Sequence, residues 1–184
     1  EGFFYISYYD TNIGMNSVVY TKLGNSDNYD KIYQSDLMGE VGTMGFDDRP
    51  EAYFANVYTA GKNETLKAVS FYATGPKTTY DVYVVTDFTD VSDLQQRTKV
   101  ASGEMQYEGY YTINLNEAVP LPDDRKFAVV VHVNTQDSTM PIAIEYNNDE
   151  KTANFDITDG EGYISYDGVA YINVKEKQDC NLCI

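Results

Sequence analysis

Short segments that alternate apolar and polar residues recur along most of the chain. The strongest predict strands at 52–59, 65–74, 79–87, 110–115, 126–135 and 141–146, and weaker ones lie at 17–23, 153–157, 162–166 and 169–174. Turns rich in Gly, Pro, Asn and Asp separate these segments. A series of short strands with such breaks is typical of an all-β sandwich or jelly roll.

The segment 126–135 shows the alternation most clearly. Val129, Val131 and Val133 fall on one face, whereas the opposite face mixes Val130 with His132. One apolar face and one mixed face are expected of a strand in a sandwich. The one helix-like stretch is 90–97, which Asp90 or Ser92 would cap.

Residues 24–50 do not follow this pattern. They are rich in Gly, Asn and Asp and contain few paired apolar residues. We predict a long loop with at most one short strand, over 31–34. Loops of this length inside a compact domain are usually functional or disordered.

Composition narrows the partners that this chain can have. The formal net charge is −16 over 184 residues, which disfavours binding to nucleic acid and to anionic membranes. The sequence contains no apolar run long enough to span a membrane, so we expect no membrane insertion. The 18 Tyr, 8 Phe and absence of Trp favour a β protein with flat, amphipathic aromatic surface.

No catalytic constellation is assembled in the sequence. The two cysteines form the CNLC motif at Cys180 and Cys183, and the single His132 cannot complete a zinc site with them. We interpret both cysteines as small, partly buried residues of a terminal strand, and His132 as a structural strand residue. The abundant carboxylates are compatible with a glycosidase pair, which is the less favoured alternative. The sequence therefore predicts a chain that is not an enzyme.

The opening EGFFYISYYD, residues 1–10, resembles the last strand of papain-family cysteine peptidases. In that family a W-G-x-x-G-Y-x-x-I motif follows the catalytic Asn, and Glu1, Gly2, Phe3 and Ile6 match its tail. The rest of the chain resembles the lectin-like domain that follows the peptidase domain in some bacterial secreted and surface-layer enzymes. The matching segments are 29–39, 52–87, 109–115, 126–135, 141–145, 162–168 and 181–184.

The resemblance implies a division of the chain and a location. Residues 1–14 would be a remnant of the final peptidase strand, and residues 15–184 a jelly-roll β-sandwich similar to carbohydrate-binding modules, outside the cell or on its surface. It implies no catalysis, because the matched positions contain none of the peptidase's Cys, His or Asn. Without its sheet, the opening strand should be disordered, re-paired on the sandwich edge, or paired with another copy.

The resemblance also implies a structural Ca²⁺ ion. Calcium takes six to eight oxygen ligands, and the acidic 27–51 loop offers several. Our first choices as ligands are Asp36, Asp47, Asp48 and Glu51. A second acidic cluster is formed by Asp87, Asp90 and Asp93. The alternative for both clusters is ordinary solvated loop charge.

A lectin-like domain is expected to bind sugar, commonly by stacking a pyranose on a flat aromatic ring. Trp is absent, so Tyr would have to supply the ring. The candidates are Tyr29, Tyr53, Tyr110 and Tyr111, with Tyr107 as a further choice. The alternative is that these tyrosines are half-buried strand residues with solvated hydroxyls.

Two functions are consistent with these patterns. The first is a binding module that holds a cysteine peptidase near cell-wall or host glycans and so raises its local concentration on substrate. The second is a structural module that packs on its own peptidase domain and stabilises or gates it without binding sugar. The absence of Trp favours the second function, whereas the sandwich architecture and the long loop favour the first.

Overall fold

The structure of the chain is a computed structural model. It describes residues 5–11, 18–21, 24–25, 28–47, 49–150, 152–154 and 156–184. The chain divides into two units, residues 1–32 and residues 33–184. All described strands and helices lie in the second unit. No helix among the described residues is long and apolar enough to cross a membrane.

The described parts of the first unit contain neither strand nor helix. A turn closes through the bond from the Asp10 amide to the Ser7 carbonyl, 3.0 Å long. Residues 5–11 and 18–21 therefore do not form the strands that alternation suggests, because a strand also needs neighbouring strands to satisfy its backbone groups. The predicted boundary between residues 14 and 15 lies outside the described residues and stays a prediction.

The second unit is built almost entirely from short strands. The strands are β1 (Gly42–Met44), β2 (Glu51–Thr59), β3 (Thr65–Ala73), β4 (Thr78–Val85), β5 (Thr98–Met105), β6 (Gly109–Pro120), β7 (Lys126–Thr135), β8 (Ile142–Glu145), β9 (Glu161–Ser165), β10 (Ile172–Asn173) and β11 (Asn181–Leu182). A 3₁₀ helix spans Val91–Gln95, and a four-residue helix, α1, spans Val174–Lys177.

The strands form one large sheet and two smaller ones. The six-stranded sheet has the order β10-β9-β2-β7-β4-β5, and its described pairings are antiparallel. The smaller sheets are β1-β8-β11 and β3-β6. The centre of the large sheet is the β2–β7 pair, which stays in register from Glu51 opposite Asn134 to Thr59 opposite Lys126.

The main core lies between the large sheet and the two smaller ones. Phe54 and Val131 of the large sheet belong to the same buried cluster as Phe71 of β3 and Ile144 of β8. The rings of Phe54 and Phe71 lie edge to face, with their centroids 6.4 Å apart. Two layers with a shared apolar core confirm the predicted all-β jelly-roll sandwich.

The outer face of the large sheet is also partly covered. Leu94 of the 3₁₀ helix packs with Val130 and Ala55 in a second buried cluster. Asp90 caps this helix as predicted: its carboxylate accepts from the Ser92 amide at 2.8 Å, and Asp93 accepts in return from the Asp90 amide at 3.1 Å. Two members of the second predicted acidic cluster therefore serve as helix caps.

The six strongest strand predictions all correspond to observed strands, with ends shifted by a few residues. The pattern missed β5, an edge strand in which only Ala101 and Met105 are buried and most of the other positions are polar. No strand forms at 31–34 or among the described residues of 153–157. Near the chain end, only Ile172–Asn173 of the predicted 169–174 pairs.

The buried Phe71 ring should contribute strongly to stability. We expect Phe71→Ala to lower the free energy of unfolding by about 3–5 kcal/mol, because the ring is 0% exposed and fills the space between the layers. Urea unfolding followed by circular dichroism measures this loss. Lys67→Ala, at an exposed position of the same strand, is the control and should change stability by less than about 0.5 kcal/mol. Equal small effects of both substitutions would contradict this packing.

Candidate functional site

The outer side of the β3–β6 sheet carries a pair of tyrosines, one exposed and one partly buried. Since Phe71 points into the core, its neighbour Tyr72 must face the other side of β3. Tyr110 lies directly opposite Tyr72 on β6. The two ring centroids are 4.9 Å apart with planes inclined at 53°, and Tyr110 is 55% exposed. These rings form an open aromatic surface.

Hydroxyl groups adjoin this aromatic pair. Ser70 and Thr112 form the next cross-strand pair on the same face, and their hydroxyl oxygens lie 2.9 Å apart in a hydrogen bond. Ser70, Tyr72, Tyr110 and Thr112 together are called the tyrosine platform below. Such a combination of flat rings and hydroxyls can contact both the apolar face and the polar edge of a ligand.

The loop after the first unit approaches the platform closely. A Cβ atom on Gly39 would lie 2.5 Å from the Tyr72 hydroxyl, and Gly39 has a φ of 74°. Both facts favour glycine at this position. Burial raises the pKa of both Tyr72 and Tyr110 above the ordinary value, so both phenols are neutral at physiological pH. Each hydroxyl can therefore both donate and accept a hydrogen bond.

The structure places the four sugar-binding candidates in different environments. Tyr110 is part of the platform. Tyr111 faces the core side of β6, and its hydroxyl donates to the Tyr107 carbonyl at 2.9 Å. Tyr53 lies on the outer face of the large sheet, and Tyr29 belongs to the first unit. The second unit therefore does not bring Tyr53, Tyr110 and Tyr111 into one surface.

Tyr53 is enclosed rather than open. Its ring stacks on His132 with centroids 4.2 Å apart, and the Arg97 guanidinium carbon lies 5.0 Å from the ring centroid. Arg97 is fixed in turn by donating to the carbonyls of Leu94 and Gly168, both at 2.8 Å. These contacts indicate a structural role for Tyr53.

His132 fits the structural interpretation made from the sequence. Its Nδ1 lies 3.7 Å from the Asp81 carboxylate, and its ring is half-buried against Tyr53. Burial lowers the pKa of His132, which favours the neutral imidazole. Cys180 and Cys183 are both buried and free, and they flank β11 as small apolar residues would.

A buried polar cluster lies at the ends of β8 and β11. Asp36 and Glu145 are 3% and 1% exposed, which is rare for carboxylates. Three oxygens converge on the side-chain nitrogen of Asn181: the Ser35 carbonyl at 2.7 Å, Glu145 Oε2 at 3.0 Å and Asp159 Oδ1 at 3.1 Å. An amide nitrogen has only two hydrogens to offer three acceptors. At least one of the three acceptor oxygens therefore receives no hydrogen of its own from this nitrogen. This group is called the acidic cluster below.

The charge of the acidic cluster is only partly balanced. Lys175 donates to Asn181 Oδ1 at 2.8 Å and to the Ile157 carbonyl. Two buried oxygens, Asp36 Oδ1 and Ser35 Oγ, have no hydrogen-bond partner among the described residues. Burial raises the pKa of Asp36 to about 7, and the neighbouring carboxylates add to the shift.

Comparison with known proteins places the chain in a family. Residues 32–184 match a family model described as a lectin-like domain. The chain belongs to this lectin-like domain family. No curated protein matches the chain. The resemblance inferred from the sequence segments is thereby confirmed for the domain itself.

Two solved structures share the fold of this lectin-like domain. The crystal structure of the cysteine protease and lectin-like domains of Cwp84, a surface layer associated protein of Clostridium difficile, matches at 23% identity and a TM-score of 0.61, covering 73% of this chain and 31% of that chain. A variant of clostridial cysteine protease Cwp84 after propeptide cleavage matches at 24% identity and 0.61, covering 73% and 34%. The chain thus spans about a third of the length of these proteins.

The predicted calcium ligands of the lectin-like domain are distributed over separate places. Asp36 lies in the acidic cluster, whereas Glu51 begins β2 and accepts from the Asn134 amide at 2.8 Å. Asp47 is exposed in a turn with a φ of 36°, and Asp48 lies outside the described residues. Within the described residues, no three His, Cys, Asp or Glu side chains approach closely enough to hold a metal ion.

Neither the role of Tyr72 in the platform nor the grouping of the acidic cluster was predicted from the sequence. Tyr72 alternates with buried residues in β3, which is a usable signal, but only the pairing with distant β6 reveals its contact with Tyr110. The acidic cluster combines Glu145 with Asp159 and Asn181, and it also contacts Ser35 across 146 residues of sequence. No local motif can reveal such a grouping.

Because of Asp36, the folded domain should become less stable as the pH rises towards 7. The pKa of Asp36 is raised from 3.8 to about 7, so the folded protein retains a proton that the unfolded chain has lost between these values. This contribution is complete below about pH 4 and is lost as the pH rises through 7, at a cost of up to about 4 kcal/mol. In EDTA, Asp36→Asn should flatten the pH profile of urea unfolding between pH 5 and 8.

Asp47→Asn is the matched control for this experiment, because Asp47 is an exposed carboxylate outside the acidic cluster. Its pH profile should follow that of the wild type. An Asp36→Asn profile that also follows the wild type would show that Asp36 ionises normally in the folded protein.

Proposed function

We propose that this lectin-like domain is a non-catalytic module that binds glycans through the tyrosine platform. The observation that carries the proposal is the open Tyr72–Tyr110 pair beside the Ser70–Thr112 hydroxyl pair. A pyranose ring has an apolar face that suits an aromatic ring and hydroxyls that suit Ser, Thr and Tyr oxygens. Two inclined Tyr rings replace the Trp that this sequence lacks.

The charge of the chain favours neutral glycans over anionic ones. The net charge of −16 repels phosphate- and carboxylate-bearing polymers over distances of about a Debye length. The backbone of Glu40 contacts the Tyr72 hydroxyl. Burial raises the pKa of Glu40, and the nearby carboxylate of Glu108 adds to this shift, so two acidic side chains lie next to the platform. A neutral sugar avoids this repulsion.

The proposal includes a parent protein that is a cysteine peptidase acting outside the cell or on its surface. The printed description of Cwp84, which joins a cysteine protease domain to a lectin-like domain in a surface layer associated protein, supports this setting. Glycan binding would hold such a peptidase near cell-wall or host surfaces and raise its local concentration there. The structural alternative, in which the domain packs on its own peptidase domain, needs no sugar.

We further propose that the acidic cluster binds a structural Ca²⁺ ion. Carboxylates, backbone carbonyls and amide oxygens are the ligands that Ca²⁺ prefers, and the cluster contains all three. The unpartnered Asp36 Oδ1 supports an additional positive charge at this position. The Ser35 carbonyl, Glu145 and Asp159, whose oxygens converge on the Asn181 nitrogen, would hold the ion.

Glycan binding should depend on Tyr110. We expect Tyr110→Ala to weaken binding to neutral glycans at least tenfold, because it removes the exposed half of the aromatic surface. Binding is measured first on an array of cell-wall and host glycans and then by titration calorimetry with the neutral glycans that bind. The melting temperature should change little, since Tyr110 is largely exposed.

Tyr166→Ala is the matched control, because Tyr166 is an exposed Tyr that is 46% accessible and lies outside the platform. It should bind like the wild type. If no glycan binds, or if both variants bind equally, the platform is not a sugar site and the domain-packing alternative is favoured.

Calcium should stabilise the folded domain. A ligand that binds only the folded state at 100 times its Kd adds about 2.7 kcal/mol, so Ca²⁺ should raise the melting temperature above that in EDTA by several degrees. Asp159→Asn should reduce this increase, because Asp159 contributes an oxygen from an exposed loop. Asp47→Asn should leave the increase intact. The reverse order of the two variants would favour the loop carboxylates predicted from the sequence.

A further inference from the structure

A cleft of about 550 Å³ opens at one end of the sandwich. Its walls are residues 74–77, which follow β3, Glu108, which precedes β6, and residues 136–140, which follow β7. The volume lies within the range of small-ligand pockets, roughly 300–1,000 Å³. Three separate connections therefore line one open space of ligand size.

The cleft adjoins the tyrosine platform. The last paired residues of this end of the β3–β6 sheet are Ala73 and Gly109, and the adjacent pair is Tyr72 and Tyr110. Thr74 and Glu108 line the cleft immediately beyond these pairs. Because consecutive strand residues are about 3.3 Å apart, the platform lies within one or two residue spacings of the cleft rim.

One wall of the cleft contains an unused buried hydroxyl. Thr74 Oγ1 is buried and has no hydrogen-bond partner among the described residues. A hydroxyl in this position has lost water without gaining a protein partner, which costs about 1–3 kcal/mol. Such groups are explained by a bound water or a ligand that supplies the missing hydrogen bond.

Two of the five described non-glycine residues with a positive φ line the cleft. Lys77 and Asp137 both line the cleft, and both adopt left-handed φ values, 55° and 68°, although neither is glycine. Strained residues of this kind cluster at ligand sites when the surrounding structure holds them. Here Thr78 provides that support: its hydroxyl donates to the Gly75 carbonyl at 2.9 Å and lies 2.9 Å from the Thr135 hydroxyl. Both threonines are fully buried, so the walls are braced before a ligand arrives.

The chemistry of the lining suits a sugar. Hydroxyl, amide and charged groups alternate around the cleft, with Pro76 and the half-exposed Met140 providing apolar contact. Glu108 and Asp137 contribute two negative charges against the single positive charge of Lys77. The lining therefore disfavours an anionic polymer, as the platform does, and offers both donors and acceptors to neutral hydroxyls.

We propose that this cleft is a second subsite that takes the following residues of a neutral oligosaccharide whose first ring stacks on the tyrosine platform. The domain then recognises a stretch of glycan chain rather than a single terminal sugar. This inference rests on the proposed glycan-binding function and extends it by naming the ligand as an oligosaccharide. Thr74 provides a hydrogen bond to that chain within the cleft.

The test compares ligand lengths on matched variants. The probes are N-acetylglucosamine oligomers and cello-oligosaccharides of one to six residues, titrated into the full chain by calorimetry. Wild-type affinity should rise about tenfold or more between the monosaccharide and the tetrasaccharide. Thr74→Val and Gln136→Ala should each reduce this rise severalfold, while binding of the monosaccharide stays unchanged.

Thr74→Val also has a stability readout that separates ligand binding from a structural role. Because Thr74 Oγ1 has no described partner, its replacement by a methyl group should leave the melting temperature unchanged or slightly raised. A lowered melting temperature together with weaker binding at every length would assign Thr74 a structural role and contradict the proposal.

The remaining outcomes distinguish this inference from the proposed function. If Tyr110→Ala abolishes binding while both cleft variants keep the full dependence on length, the platform binds sugar and the cleft does not. If wild-type affinity is the same for all lengths, the ligand is a single sugar and the second subsite is excluded. If none of the probes binds, both the subsite and the neutral-glycan platform are overturned.

Discussion

The burial of Phe71 between the two layers is the constraint on which the platform depends. Side chains of a strand alternate between faces, so placing Phe71 in the core directs Tyr72 and Ser70 outward. The register of β3 with β6 then places Tyr110 and Thr112 beside them. A slip of one residue would turn the aromatic pair into the core and expose apolar residues to water. Core packing and surface function are therefore fixed by the same pairing.

Tyrosine has a structural role on the outer face of the large sheet and an exposed position on the outer face of the β3–β6 sheet. Tyr53 is stacked on His132 and covered by Arg97, so its ring stabilises the outer face of the large sheet. Tyr110 contacts the tilted ring of Tyr72 and the Ser70 side chain, and it keeps 55% of its surface exposed. The difference comes from what lies above each strand: the 3₁₀ helix and its connection cover the large sheet near Tyr53, whereas the described chain leaves Tyr110 open.

The sequence predicted most of the fold but little of the arrangement of the site. The apolar pattern identifies β2, β4 and β7 because these strands are rich in buried apolar residues, and it misses β5 because only two residues of this edge strand are buried. Tyr110 could be nominated from its strand position, but its partner Tyr72 lies 38 residues away and depends on the register of a non-local sheet. The acidic cluster is even harder to predict from the sequence, since Asp36 comes near Glu145 and Asp159 only after the layers have assembled.

The loop from Ser35 to Glu40 connects the acidic cluster to the platform. Its first residues belong to the cluster, where the Ser35 carbonyl accepts from Asn181, and its last residues contact the Tyr72 hydroxyl. The amide of Met38, in the middle, donates to Glu145 at 2.8 Å. A segment of six residues, 35–40, therefore contacts the cluster at one end and the platform at the other. The charge of Asp36 also contributes to the raised pKa of both Tyr72 and Tyr110. The buried cluster and the platform are thus linked through the chain and through the electrostatic field.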